Sequence, residues 1–128
     1  MSKWDGHANA PDGLEWVPPP ANQCEERRIP TPLPGGHLIT IRLVTWNGQL
    51  MEYAITYSRM RDDGEYEEIT CIDTQHHGSV HRHDDGDHKK APKILRPIRS
   101  QEDVQESFKA SYDEVFEIYL SSKGEDDG

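Results

Sequence analysis

The alternation of apolar and polar residues is clearest in the middle of the chain. His37 to Trp46 reads HLITIRLVTW, rich in β-branched residues and half-alternating, which predicts a strand. Asn47-Gly48 follows, and both residue types tolerate positive φ, so a hairpin turn is expected there. Gln49 to Arg59 (QLMEYAITYSR) reads as the returning strand. Asp62-Asp63-Gly64 is a second turn signal, and Glu65 to Thr74 (EYEEITCIDT) a third strand. Counting out from Asn47-Gly48 sets Val44 opposite Met51, Arg42 opposite Tyr53 and Thr40 opposite Ile55. Counting out from Asp63-Gly64 sets Ile55 opposite Ile72 and Tyr57 opposite Thr70. One face then carries Val44, Met51, Tyr53, Ile55, Tyr57 and Ile72. The other carries Ile39, Ile41, Leu43, Ala54, Ile69 and Cys71. Both are partly apolar, one for a helix and the other for the N-terminal arm or a partner chain.

Residues 75–91 show no periodic apolar pattern. Ile94 to Ile98 reads as a short fourth strand interrupted by Pro97. Ser100 to Ser122 then reads as one helix. Ser100 is its N-cap, with Asp103 three residues on in the manner of a capping box. Val104, Phe108, Tyr112, Val115, Phe116 and Tyr119 share one helical face and belong to the core. Gly124 is a natural stop.

Residues 1–35 hold seven of the nine prolines, among them Pro18-Pro19-Pro20 and the alternating Pro30, Pro32 and Pro34. Proline fixes φ and removes the amide donor, which excludes a regular helix or a central strand. The expectation is an α+β domain at 36–122: a three- to four-stranded antiparallel meander on one C-terminal helix. It is preceded by a Pro-rich irregular arm (1–35), pinned in places by Trp4, Trp16 and Val17. An acidic tail (123–128) follows it.

Hydrophobic residues make up 33% of the chain, so the core is small. No apolar run approaches the ~20 residues that span a bilayer. Met1 to Gly6 has no apolar stretch behind its lysine, so no secretory signal is expected. Cys24 and Cys71 lie in different surroundings and read as two reduced thiols of a cytoplasmic protein. The net charge of −10 argues against bulk binding to nucleic acid or an anionic membrane. The charge is uneven, however. His88 to Arg99 contains Lys89, Lys90, Lys93, Arg96 and Arg99 and no acidic residue, a local basic arm able to hold one phosphate backbone.

Five of the seven histidines fall between His76 and His88. Imidazole titrates near neutral pH, so two histidines can divide the work of taking and giving a proton. RNA cleavage by its own 2′-hydroxyl needs that pair, and a cation for the phosphate. On an extended segment His81 and His83 point to one side and Arg82 to the other, unless the backbone turns. His76 or His77 can swing back across the Gly78 bend, and Asp73 can orient one imidazole. Lys89 and Lys90 supply phosphate-holding charge, joined by Arg82 where the backbone turns. This reading needs no cofactor. A competing reading is a metal site for zinc or another divalent transition metal, with Asp73, His76, His81 and His83 as ligands. Cys71 stands one residue off any simple pattern for it. A plain His-rich loop is the third reading, and Asp84 to Asp87 by itself reads as a turn-forming acidic stretch.

The meander ending in Ile72-Asp73-Thr74, then His77-Gly78, then His81-Arg82-His83, then a C-terminal helix resembles the TumE-like family. These are small proteins regarded as toxin components of bacterial and archaeal toxin–antitoxin pairs. The resemblance covers roughly residues 37–120 and is specific over those eight residues. One extra residue separates Asp73 from the His-Gly pair, so His76 competes with His77 for that place. The resemblance implies functional roles for Asp73, His81 and His83, an antitoxin partner and an RNA substrate. The expected site is therefore Asp73, His77, His81 and His83, in a protein that contacts no membrane. The two-sided apolar sheet leaves room for a homodimer or for an interaction module without catalysis.

Overall fold

A computed structural model describes residues 19–74, 78–84 and 91–127. A single 3-10 turn, Ala21–Gln23, leads into six strands and a helix. The strands are β1 (Glu25–Leu33), β2 (His37–Trp46), β3 (Gln49–Met60), β4 (Tyr66–Asp73), β5 (Ser79–His83) and β6 (Lys93–Pro97); the helix is α1 (Gln101–Asp127). The strands form one antiparallel sheet in chain order, with α1 packed mainly on β3. This is the expected α+β meander on a C-terminal helix, with six strands rather than three or four.

The two unforeseen strands, β1 and β5, have different causes. β1 lies within the Pro-rich stretch, which therefore gives way to sheet at Glu25. It is an edge strand, so only alternate residues need to present their amides to a neighbour. Pro30 and Pro32 are two apart, and their missing donors fall on the same side of the strand. β5 is the histidine segment itself. Its inward positions on one side are polar, so hydropathy carries no trace of it.

The hairpin at Asn47-Gly48 forms as predicted, with φ of 51° and 76°. Its register does not continue as predicted. Trp46 faces Gln49 and Thr45 faces Leu50, but a bulge opposite Val44 and Thr45 then passes over Met51 of β3 and shifts the register by one residue. Val44 faces Glu52 rather than Met51, Arg42 faces Ala54 rather than Tyr53, and Thr40 faces Thr56 rather than Ile55. A slip of one residue exchanges the two faces of a strand. Ile39, Ile41 and Leu43 therefore join Tyr57, Ile55 and Tyr53 on the helix side. Between β3 and β4 the predicted pairs Ile55–Ile72 and Tyr57–Thr70 are present. The face covered by α1 is apolar; the other is mainly polar but, as expected, partly apolar, carrying Leu38, Val44, Ala54 and Cys71.

The N-cap of α1 is as read: Ser100 Oγ accepts from the Asp103 amide at 3.1 Å, and Asp103 Oδ2 accepts from the Arg99 amide at 2.8 Å. Gly124 does not stop the helix, which runs to Asp127. Gly124 is absent from the positive-φ residues, so it adds no left-handed cap. Val104, Val115 and Tyr119 are buried as expected, while Phe108, Tyr112 and Phe116 flank the core half-buried. The centre of the buried stripe also contains Ser107 and Ser111, whose hydroxyls lie 2.7 and 2.8 Å from the Tyr53 hydroxyl. His37 is buried further along the same face, its Nδ1 2.8 Å from the Tyr57 hydroxyl and its ring edge-on to Tyr119.

Candidate functional site

The polar face of the sheet brings the histidines of β5 beside the acidic end of β4. In register, Asp73 lies between Ala54 and His81, and Cys71 lies between Thr56 and His83. Cross-strand partners share a face, so these six side chains occupy two neighbouring rows opposite α1. β5 is extended, as the His-x-His reading requires. The rings of His81 and His83 lie 17° from parallel with centroids 6.5 Å apart.

Asp73, His81 and His83 are buried at 4, 8 and 5% exposure. Burial of a carboxylate and two imidazoles is costly unless they meet each other. His83 Nε2 lies 3.6 Å from Asp73 Oδ2. That is contact distance for an ion pair and beyond a hydrogen bond. His81 Nδ1 lies 3.2 Å from the Ser79 carbonyl oxygen, and the Ser79 hydroxyl lies 3.2 Å from each ring nitrogen. A carbonyl only accepts, so Nδ1 of His81 carries a hydrogen. Each imidazole is thus aligned through a different partner, Asp73 for His83 and Ser79 for His81.

Cys71, which stood one residue off any simple ligand pattern in the sequence, is a neighbour of this pair. Alternation along β4 puts it on the face of Asp73, two residues away, and its thiol donates to Asp73 Oδ2 at 3.7 Å. Burial pushes this thiol up to about 12, and the Asp73 and Glu68 carboxylates add to the effect. It stays protonated near neutral pH, which excludes a thiolate nucleophile here.

Arg82, expected among the phosphate-holding residues, points to the helix side of the sheet. Its Nε donates to Asp84 Oδ1 at 2.9 Å and its Nη1 lies 3.8 Å from Glu114 Oε1. The structure therefore does not bring it to the surface shared by His81 and His83. His76, His77, Lys89 and Lys90 lie outside the described residues. A different arginine stands on the site face: Arg42, in the same row as Ala54, Asp73 and His81. Its Nε and Nη1 donate to Glu26 at 2.7 Å and Glu52 at 3.1 Å, tying β1 and β3 to β2. The Arg42 guanidinium also holds the Glu26 carboxyl below the usual carboxylate range.

Among the described residues no group of three or more His, Cys, Asp or Glu side chains stands as a metal-ligand set. Among them, too, no helix is long and apolar enough to cross a membrane. No family model, curated protein or solved structure matches the chain.

Proposed function

We propose that this chain is a toxin-like RNA-cleaving domain that works by histidine acid–base catalysis. The observation that carries the reading is the pairing of His83 with Asp73 on the sheet face that also holds His81. In the reaction the RNA 2′-oxygen attacks the adjacent phosphorus, giving a 2′,3′-cyclic phosphate and a 5′-hydroxyl end. His83, whose Nε2 faces Asp73, takes the 2′-hydroxyl proton on Nδ1, a nitrogen that is buried in this structure and must be uncovered as RNA binds. His81, protonated and aligned by Ser79, gives a proton to the leaving 5′-oxygen from Nε2. Asp73 stabilises the imidazolium that forms on His83, as a buried carboxylate does in hydrolytic triads. The phosphate charge falls to Lys89 and Lys90, because Arg82 is engaged on the other face. The resemblance to the TumE-like family supports an RNA substrate and an antitoxin partner.

The test is cleavage of a generic RNA by purified protein with and without chelator. The wild type is expected to cleave in both conditions and to leave cyclic phosphate ends. His81→Ala and His83→Ala are expected to lose about 10²–10⁴-fold in rate with unchanged circular dichroism, the range of a positioned acid or base. Cleavage abolished by chelator and restored by zinc would move the assignment to the metal reading. Full activity in both alanine variants would end the acid–base proposal.

A further inference from the structure

The site contains a line of contacts that reaches across three strands. The Thr56 hydroxyl on β3 donates to Cys71 Sγ on β4 at 3.4 Å. The Cys71 thiol donates to Asp73 Oδ2 at 3.7 Å. The same Oδ2 faces His83 Nε2 on β5 at 3.6 Å. Register makes the line a product of the sheet, since Thr56, Cys71 and His83 are successive cross-strand neighbours.

A carboxylate turns about two torsions, and the second is broad. An acid–base pair works only when the correct oxygen faces the imidazole. One donor aimed at a single oxygen removes that freedom. The thiol suits this task because it is a weak donor that stays protonated, orienting the carboxylate while drawing off little of its charge. Building on the ribonuclease reading above, we propose that Cys71 is a positioning residue. Its S–H, held by Thr56, turns Asp73 so that Oδ2 faces His83 and keeps the imidazole proton on Nε2.

The experiment uses the full chain carrying Cys24→Ala, so that Cys71 is the remaining thiol. Its S–H stretch, read by infrared absorption, should be displaced from the position of an unbonded thiol and return toward it in Asp73→Asn. The ¹⁵N spectrum of the His83 ring should show one tautomer, protonated at Nε2. Cys71→Ala should mix the tautomers, whereas Cys71→Ser should preserve the single one. RNA cleavage should lose about two- to tenfold in kcat in Cys71→Ala with KM unchanged, the effect of one modest hydrogen bond, and recover in Cys71→Ser. A stretch that does not move in Asp73→Asn overturns the proposal, as does a folded Cys71→Ala with an unaltered His83 ring spectrum. If Cys71→Ala does not fold, Thr56→Val reads the same ring spectrum with the thiol in place, and an unaltered spectrum there overturns the proposal. A wild type that cleaves no RNA ends the ribonuclease reading alone, because the stretch and the ring spectrum still decide for or against the thiol.

Discussion

Tyr53 joins the helix to the sheet through a chain of hydroxyls whose direction can be worked out. Ser107 Oγ donates to the Val104 carbonyl at 2.9 Å, which uses its one hydrogen. The Tyr53 hydroxyl must therefore donate to Ser107 Oγ, and Ser111 must donate to Tyr53. Tyr53→Phe removes the middle of this chain. It leaves the Ser111 hydroxyl, 0% exposed, without its acceptor and the Ser107 oxygen without its donor. Losing one partner of a buried polar pair costs about 1–3 kcal/mol, more than the bond itself contributes. The same residue clamps the site end of β4: its amide donates to Thr74 Oγ1 and its carbonyl accepts from the Thr74 amide, each at 3.0 Å. Those backbone bonds survive the substitution, so the loss should come from the hydroxyl alone. Urea unfolding at constant m-value should show Tyr53→Phe destabilised by about 1–3 kcal/mol. Replacing all three groups with apolar ones removes the stranded polar atoms. Tyr53→Phe/Ser107→Ala/Ser111→Ala should therefore cost less than the sum of the three single changes. A Tyr53→Phe protein within about 0.3 kcal/mol of wild type, or strict additivity in the triple variant, would refute the proton chain.

Three further outcomes follow from the same structure. The Cys71 thiol ionises at about 12 in the fold and near 9 in the unfolded chain, so above pH 9 the unfolded state binds fewer protons. Stability should fall as pH rises from 9 toward 12, more steeply than in Cys71→Ser, and a matching slope in the two proteins would contradict the assigned burial. Pro30 and Pro32 leave the outer side of β1 without donors at two positions; Pro30→Val/Pro32→Val should promote concentration-dependent association, visible by light scattering, and a strictly monomeric variant would show that the prolines do not guard this edge. Gly124 sits inside α1 with open space around it, nothing lying within 4 Å of where an alanine methyl would stand, so Gly124→Ala should gain about 0.4–1 kcal/mol in urea unfolding; a loss would mean that the helix ends before it.

The sequence by itself determined the class of fold. Alternation in β2, β3 and β4, the Asn47-Gly48 turn and the 3.6-residue stripe of α1 all arise from local chemistry and survive in the structure. It also determined the arrangement of His81 and His83 once β5 is extended, because a side-chain period of two follows from backbone geometry. The reach of α1 past Gly124 escaped it, since glycine permits a left-handed cap without imposing one.

Tertiary structure decided which residues share a face. The bulge at Val44 and Thr45 has no signature in the apolar pattern, because Ile39, Ile41 and Leu43 are apolar in either register. The slipped register turns these three side chains toward the α1 side, burying Ile39 and half-burying Ile41 and Leu43, and turns Arg42 to the opposite face. The same holds for β5, whose pairing with β4 makes neighbours of Asp73, His81, His83 and Cys71. Residues eight to twelve positions apart meet there because a ladder forms between strands, and ladder hydrogen bonds join backbone groups that every residue type except proline carries. Which strands pair, and in what register, is therefore settled by the burial of the whole sheet rather than by any local word in the chain.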